Sequence, residues 1–165
     1  MSKRLESLAG GRLAYIARTG EKLSLWLANN DGSEGKQLTP DFEFIEELRT
    51  DRSGRFLIFS ARRAQQSHLF RVGPDGHDLR QLTHGDGLAI DSDVSPDGAW
   101  VLYGSLPAAD PQIPMLYRVP ADGGEAMLFS EVSCKAPVYS PDGSRVSCIS
   151  GREVIILDSQ SGKEL

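Results

Sequence analysis

The sequence predicts an all-β fold made of four repeats of one four-stranded antiparallel unit. Three observations carry that prediction. Three turn signals use nearly the same residues: Arg52-Ser53-Gly54, Ser95-Pro96-Asp97-Gly98 and Ser140-Pro141-Asp142-Gly143. Their glycines are 44 and 45 residues apart. Stepping back 44 residues from Gly54 lands on Gly10, in Ala9-Gly10-Gly11, so the phase runs through the chain four times. A constant period of this length marks a repeat architecture. Finally, 17 Gly and 9 Pro among 165 residues mean frequent turns, and frequent turns mean many short elements.

Each repeat justifies its strands in order. An inner strand precedes each turn glycine: Arg4-Leu5-Glu6-Ser7-Leu8, Phe44-Ile45-Glu46-Glu47-Leu48, Ile90-Asp91-Ser92-Asp93-Val94 and Ala136-Pro137-Val138-Tyr139. Taken alone, Phe42 to Arg49 also fits an amphipathic helix. Its equivalents alternate strictly or contain Pro137, so the repeat phase predicts a strand. After the glycine, the third and fifth residues are apolar: Leu13 and Tyr15, Leu57 and Phe59, Val101 and Tyr103, Val146 and Cys148. That alternation predicts a second strand.

A second apolar run follows, as Leu25-Trp26-Leu27, Leu69-Phe70-Arg71-Val72, Leu116-Tyr117-Arg118-Val119 and Val154-Ile155-Ile156-Leu157. It ends in Asp31-Gly32, Asp75-Gly76, Asp122-Gly123 or the looser Ser159-Gln160-Ser161-Gly162. Asp-Gly suits a tight turn because both residues tolerate positive φ. A short outer strand closes the unit: Lys36-Gln37-Leu38-Thr39, Arg80-Gln81-Leu82-Thr83, Ala126-Met127-Leu128-Phe129 and the abbreviated Lys163-Glu164-Leu165. Four antiparallel strands in about 44 residues is the period of a β-propeller blade. The expected domain is 1–165, with blades near 1–40, 41–84, 85–130 and a clipped 131–165.

The Ser-Pro-Asp-Gly turn and the trailing Leu-Thr of Leu38-Thr39 and Leu82-Thr83 resemble the repeats of TolB-type, WD-repeat-like propellers. The resemblance covers essentially the whole chain and is clearest in repeats two and three. It implies fold more than function. Such repeats occur in periplasmic TolB proteins, in the front domains of prolyl-oligopeptidase-like enzymes and in regulators. Family propellers often have six to eight blades, against four here. The helical front domain and signal peptide of TolB and the hydrolase domain of a peptidase are not found in this sequence.

Closure of four blades then has two solutions. One is a small four-bladed ring. The other is half of a ring of about eight blades, completed by dimerisation through open blade faces.

Composition narrows the partners. The net charge is −5, unevenly spread. Residues 1–83 carry 13 basic and 11 acidic side chains (+2), and residues 84–165 carry 5 and 12 (−7). Nucleic-acid phosphate wants a basic surface, so no nucleic-acid partner is expected. No apolar run approaches the roughly 18 residues of a membrane span, and the first residues have no apolar signal-peptide core. The expected compartment is the cytoplasm, or the periplasm if a signal was removed. Cys134 and Cys148 are too few for a disulfide framework and read as two buried thiols, although they have the option of pairing.

The sequence contains no nucleophile elbow, P-loop, dinucleotide fingerprint or zinc spacing. His68, His77 and His84 all fall in repeat two, opposite Ser24, Ser33 and Pro40, and read as exposed loop or strand-end residues. No catalytic residue, metal or cofactor is implied. Trp26, Phe70 and Tyr117 are equivalent and predict inter-blade core. Asp97 and Asp142 repeat, which points to turn chemistry and not catalysis.

The candidate site is an acidic rim. The connections Pro40–Glu47, His84–Asp93 and Ser130–Pro137 carry Asp41, Glu43, Glu46, Glu47, Asp86, Asp91, Asp93 and Glu131, opposed only by Lys135. Glu43, Glu46, Asp86, Asp91, Asp93 and Glu131 are the expected binding set, for a basic peptide or for a cation. Asp91 and Asp93, two residues apart, are expected on one side of their strand. The bland alternative is a solvated rim that keeps the protein in solution. Arg62-Arg63 reads as a charged loop, and Pro107 to Pro114 as an insertion.

The leading function is a non-catalytic protein- or peptide-binding scaffold. The alternatives are the regulatory propeller of a larger enzyme and a propeller enzyme acting on a small molecule such as a sugar.

Overall fold

The computed structural model describes residues 5–8, 10–63, 66–107 and 114–165. Arg4 and Ala9 of the first repeat and residues 108–113 of the proline-rich insertion lie outside the described residues.

Among the described residues the chain forms fifteen strands and no helix. The first sheet holds β1 (Leu5–Leu8), β2 (Arg12–Thr19), β3 (Lys22–Asn29) and β4 (Lys36–Gln37). The second holds β5 (Phe44–Thr50), β6 (Leu57–Arg63), β7 (Gln66–Val72) and β8 (Arg80–Gln81). The third holds β9 (Leu88–Val94), β10 (Trp100–Leu106), β11 (Met115–Pro120) and β12 (Met127–Ser133). The fourth holds β13 (Lys135–Tyr139), β14 (Arg145–Ser150) and β15 (Glu153–Asp158), with a single bridge from Leu157 to Glu164 where the others have a fourth strand. Every sheet is an antiparallel meander in sequence order. The phase glycines Gly10, Gly54, Gly98 and Gly143 share a left-handed backbone, with φ of 79°, 69°, 72° and 75°. The segment from Phe44 is a strand, as the repeat phase requires.

The turn aspartates do what their repetition predicted. Asp97 accepts the Ala99 N–H at 2.9 Å and the Ser95 hydroxyl at 2.6 Å. Asp142 accepts the Ser144 N–H at 3.0 Å and the Ser140 hydroxyl at 2.6 Å. In repeat two, which lacks the Pro-Asp, Asp51 takes over from the start of the turn. It accepts the Arg55 N–H at 2.6 Å, the Ser53 hydroxyl at 2.7 Å and Arg55 Nε at 2.9 Å.

The chain divides into two compact units, 1–81 and 82–165. In the first, Ala14, Leu25 and Leu27 of the first sheet bury against Ile45, Leu48, Leu57, Phe59, Phe70 and Val72 of the second. Phe42 fills the joint, with ring centroids 5.5 Å from Phe59 and 5.3 Å from Phe70. Phe70 is therefore core, as expected. Its equivalent Trp26 is not. It lies half-buried on the opposite face of the first sheet, cross-strand from Tyr15, and donates its indole N–H to Ser24. Tyr117 is half-buried beside Tyr103, at 6.2 Å.

In the second unit, Leu102, Leu116 and Phe129 of the third sheet bury against Val146, Cys148 and Leu157 of the fourth. Cys134 and Cys148 are joined by a disulfide, with Cα atoms 5.8 Å apart, inside this core. This corrects the expectation of two free thiols. Sequence cannot supply the distance that decides pairing.

Two further expectations change. The segment Ser130–Pro137 was expected to be a connection, but β12 runs to Ser133 and β13 starts at Lys135, leaving Cys134 as the whole link. Arg62 and Arg63 end β6 and are not in a loop.

Candidate functional site

Between the third and fourth sheets lies a groove of about 680 Å³. Both Ser-Pro-Asp-Gly turns line it, through Ser95, Pro96 and Asp97 and through Asp142 and Gly143, together with Trp100, Arg118, Tyr139, Ser159 and Gln160. Repetition of the turn thus brings two carboxylates to one groove.

Asp142 is held down to about 2 by hydrogen bonds from Ser140 and Ser144, so it is ionised throughout the physiological range. Burial pushes the Tyr139 phenol up to about 12, so it stays protonated. The Arg118 guanidinium lies 4.8 Å from the Trp100 ring centre and 5.8 Å from that of Phe129. Its Nε is buried without an acceptor among the described residues. A guanidinium stacked on aromatic faces is positioned by the rings and keeps donors for a ligand. The groove offers ring surface, fixed negative charge and a cation together.

The predicted rim residues fall in both units, Glu43, Glu46 and Glu47 in the first and Asp86, Asp91, Asp93 and Glu131 in the second. Glu43 is exposed just ahead of β5. Glu46 sits at the bulge of β5 and pairs with Arg62 at 3.3 Å. Glu47 is buried and pairs with Arg49 at 3.5 Å. Asp86 is exposed ahead of β9.

Asp91 and Asp93 are not simple same-side neighbours, because β9 bulges between them, with Asp91 at φ 51°. A bulge adds a residue and breaks the two-residue alternation on which the expectation rested. Asp93 accepts the Tyr139 N–H at 2.8 Å and so ties the third sheet to the fourth. Glu131 stands on β12, the outermost strand of a sheet whose innermost strand carries Asp91 and Asp93. Three strand spacings, roughly 14 Å, separate those strands.

His68 also departs from expectation, since it is buried in β7 opposite Ala61. Among the described residues no three His, Cys, Asp or Glu side chains gather as a metal site.

The groove residues Trp100, Arg118 and Tyr139 were missed by sequence reasoning, although a signal was there. An aromatic two residues after the turn glycine and an arginine in the third strand recur as Phe56 and Arg71, where the guanidinium lies 4.5 Å from the ring centre.

No protein-family model matches the chain, and no curated protein matches it. Solved structures do. A protein of Agrobacterium tumefaciens assigned to TolB superposes with a TM-score of 0.77 at 20% identity, covering 94% of this chain and 60% of that one. TolB from Acinetobacter baumannii gives 0.72 at 16%, covering 98% and 43%. An oligogalacturonate lyase from Vibrio parahaemolyticus gives 0.76 at 12%, covering 99% and 52%. The chain therefore spans about half the length of these three structures, and the likeness extends to the fold of TolB proteins and of a lyase alike. With its repeat phase, turn chemistry and sheet order, the chain is built as four blades of the TolB-type β-propeller fold.

Proposed function

We propose that this chain is a non-catalytic propeller that recognises a protein or peptide segment, with a preference for basic sequence. The observation that carries the reading is the groove between the third and fourth blades. It combines the Trp100 and Tyr139 rings, the Arg118 guanidinium and the carboxylates of Asp97 and Asp142. Aromatic surface with a few placed polar groups is how peptides are gripped. The balance of −7 over residues 84–165 favours a cationic partner and speeds its approach. The exposed rim carboxylates Asp86 and Glu131 of the same unit add to that field, and half-buried Asp91 supports them.

The probe is a fluorescein-labelled octalysine, read by anisotropy beside labelled octaglutamate. Octalysine is expected to bind and to weaken about tenfold between 20 and 200 mM salt, since exposed charges are screened over about 10 Å at 0.1 M. Trp100→Ala is expected to weaken it at least threefold, and Asp86→Asn with Glu131→Gln about twofold. No octalysine binding, or equal binding of the two peptides, overturns the reading. The disulfide further supports an oxidising compartment, where such bonds persist. A count of free thiols in protein isolated under alkylation checks that point.

A further inference from the structure

Trp100 and Leu102 stand two residues apart on β10 and share a face. Arg118 is the cross-strand partner of Leu102 on one side, and Asp93 on the other. All four therefore belong to the face that blade three turns toward blade four. In that row Leu102 separates the two charges, whose strands lie two spacings apart, roughly 9–10 Å. Asp93 reaches across to blade four and accepts the Tyr139 N–H at 2.8 Å. The guanidinium is left against the Trp100 and Phe129 rings.

Among the described residues Arg118 is a cation without a counter-ion: its buried Nε has no acceptor, and no carboxylate pairs with it. Blade two supplies the contrast. The equivalent Arg71 also lies on a ring, that of Phe56, but it pairs with Asp78 at 3.9 Å. Glu125, which takes the place of Asp78 in blade three, is exposed and makes no such pair among the described residues. The groove aspartates are engaged in their own turns, Asp97 with Ser95 and Ala99, Asp142 with Ser140 and Ser144. A charge held partly out of water without a partner is unfavourable, and an arriving anion relieves it. Tyr139 adds a second donor. Its phenol lines the same groove, lies close enough to Arg118 to sense the guanidinium, and stays protonated. A guanidinium fork beside an O–H donor is a donor set that suits a carboxylate.

We infer that Arg118, with Tyr139, binds a carboxylate of the ligand, so that the groove recognises a peptide carrying a carboxylate beside its cationic side chains. The inference rests on the peptide-binding reading above and names the second charge that this groove demands. Asp97 and Asp142 face the ammonium groups, and Arg118 faces the anion. A peptide has two sources for that anion, the α-carboxylate at its C-terminus and the side chain of an internal Asp or Glu. Both present the same two oxygens to the guanidinium fork.

The test titrates unlabelled peptides into the chain by calorimetry at 20 mM salt, because fluorescein itself carries a carboxylate. Three are compared: octalysine with a free C-terminus, octalysine amide, and an octamer amide with one internal Glu among seven Lys. Attraction by charge alone favours octalysine amide, the most cationic of the three. The inference reverses that order. The free acid, the Glu peptide or both are expected to bind about fivefold more tightly than octalysine amide, the scale of a charge-assisted pair. A gain for the free acid alone assigns the α-carboxylate, and a gain for the Glu peptide alone assigns a side chain. Arg118→Met keeps an apolar stem against the rings and is expected to erase the gain, with an unchanged circular dichroism spectrum. Arg118→Lys keeps the charge without the fork and is expected to retain only part of it. Octalysine amide binding as tightly as both other peptides overturns the inference and leaves the basic-peptide reading standing. A gain that survives in both variants also overturns it. No binding by any of the three overturns the inference and that reading together.

Discussion

At the scale of single residues, the informative positions are those that hold the backbone where side chains resist it. Asp91 and Ala136 occupy the same bulge in blades three and four, at φ 51° and 53°. Asp tolerates this region because its short polar side chain bonds locally, whereas Ala gains nothing there. Ala136→Gly is expected to stabilise by about 0.5–1 kcal/mol and Asp91→Val to destabilise by about 1–2 kcal/mol, both read from urea midpoints. These bulges were illegible in the sequence. Asp91-Ser92-Asp93 and Ala136-Pro137-Val138 share no residue type, and the common feature is a dihedral angle. Asp51 shows the opposite case. Burial opposes its ionisation, but hydrogen bonds from Arg55, Ser53 and the Phe56 amide outweigh it and keep the carboxyl below its ordinary 3.8. A depressed folded value adds stability above the unfolded one, and that contribution fades as pH falls through the folded one. Asp51→Asn is therefore expected to cost about 1–3 kcal/mol at pH 7. Urea titrations at successive pH values should show the gap to wild type closing below about pH 4.

At the scale of elements, the turns and strands were legible because their chemistry is local. Ser-Pro-Asp-Gly specifies its own hydrogen bonds, and alternation about Leu57 and Phe59 specifies a face. The disulfide, the length of β12 and the groove were not legible, since each depends on two blades meeting. Arg118 shows why: its motif recurs as Arg71, but only packing reveals that both lie on aromatic rings. The Cys134–Cys148 bond closes a loop of 14 residues in the one-residue joint between β12 and β13. Closing a loop of that size stabilises by about 3 kcal/mol on chain-entropy grounds. Cys134→Ser with Cys148→Ser is expected to lower the midpoint of thermal unfolding by several degrees. Reduction of the wild type should do the same, and the variant should no longer respond to reductant.

At the scale of the molecule, the repeat explains what is closed and what is open. Blades that follow one another inside a unit complete each other, while the outermost faces keep apolar groups such as Val154 and Leu5 in water. The acidic half and the basic half were legible as counts of charge. That Glu131 and Asp91 stand on opposite edges of one sheet was not, because proximity in a repeat says nothing about which edge a residue joins. The disulfide has one more consequence at this scale, and it is mechanical. A chain drawn out by its two ends cannot release the segment between Cys134 and Cys148 while the bond holds, so its extended length falls short by roughly 40–45 Å. The joint between the last two blades then transmits tension through a covalent shortcut, and a reductant becomes the switch that lets it pay out.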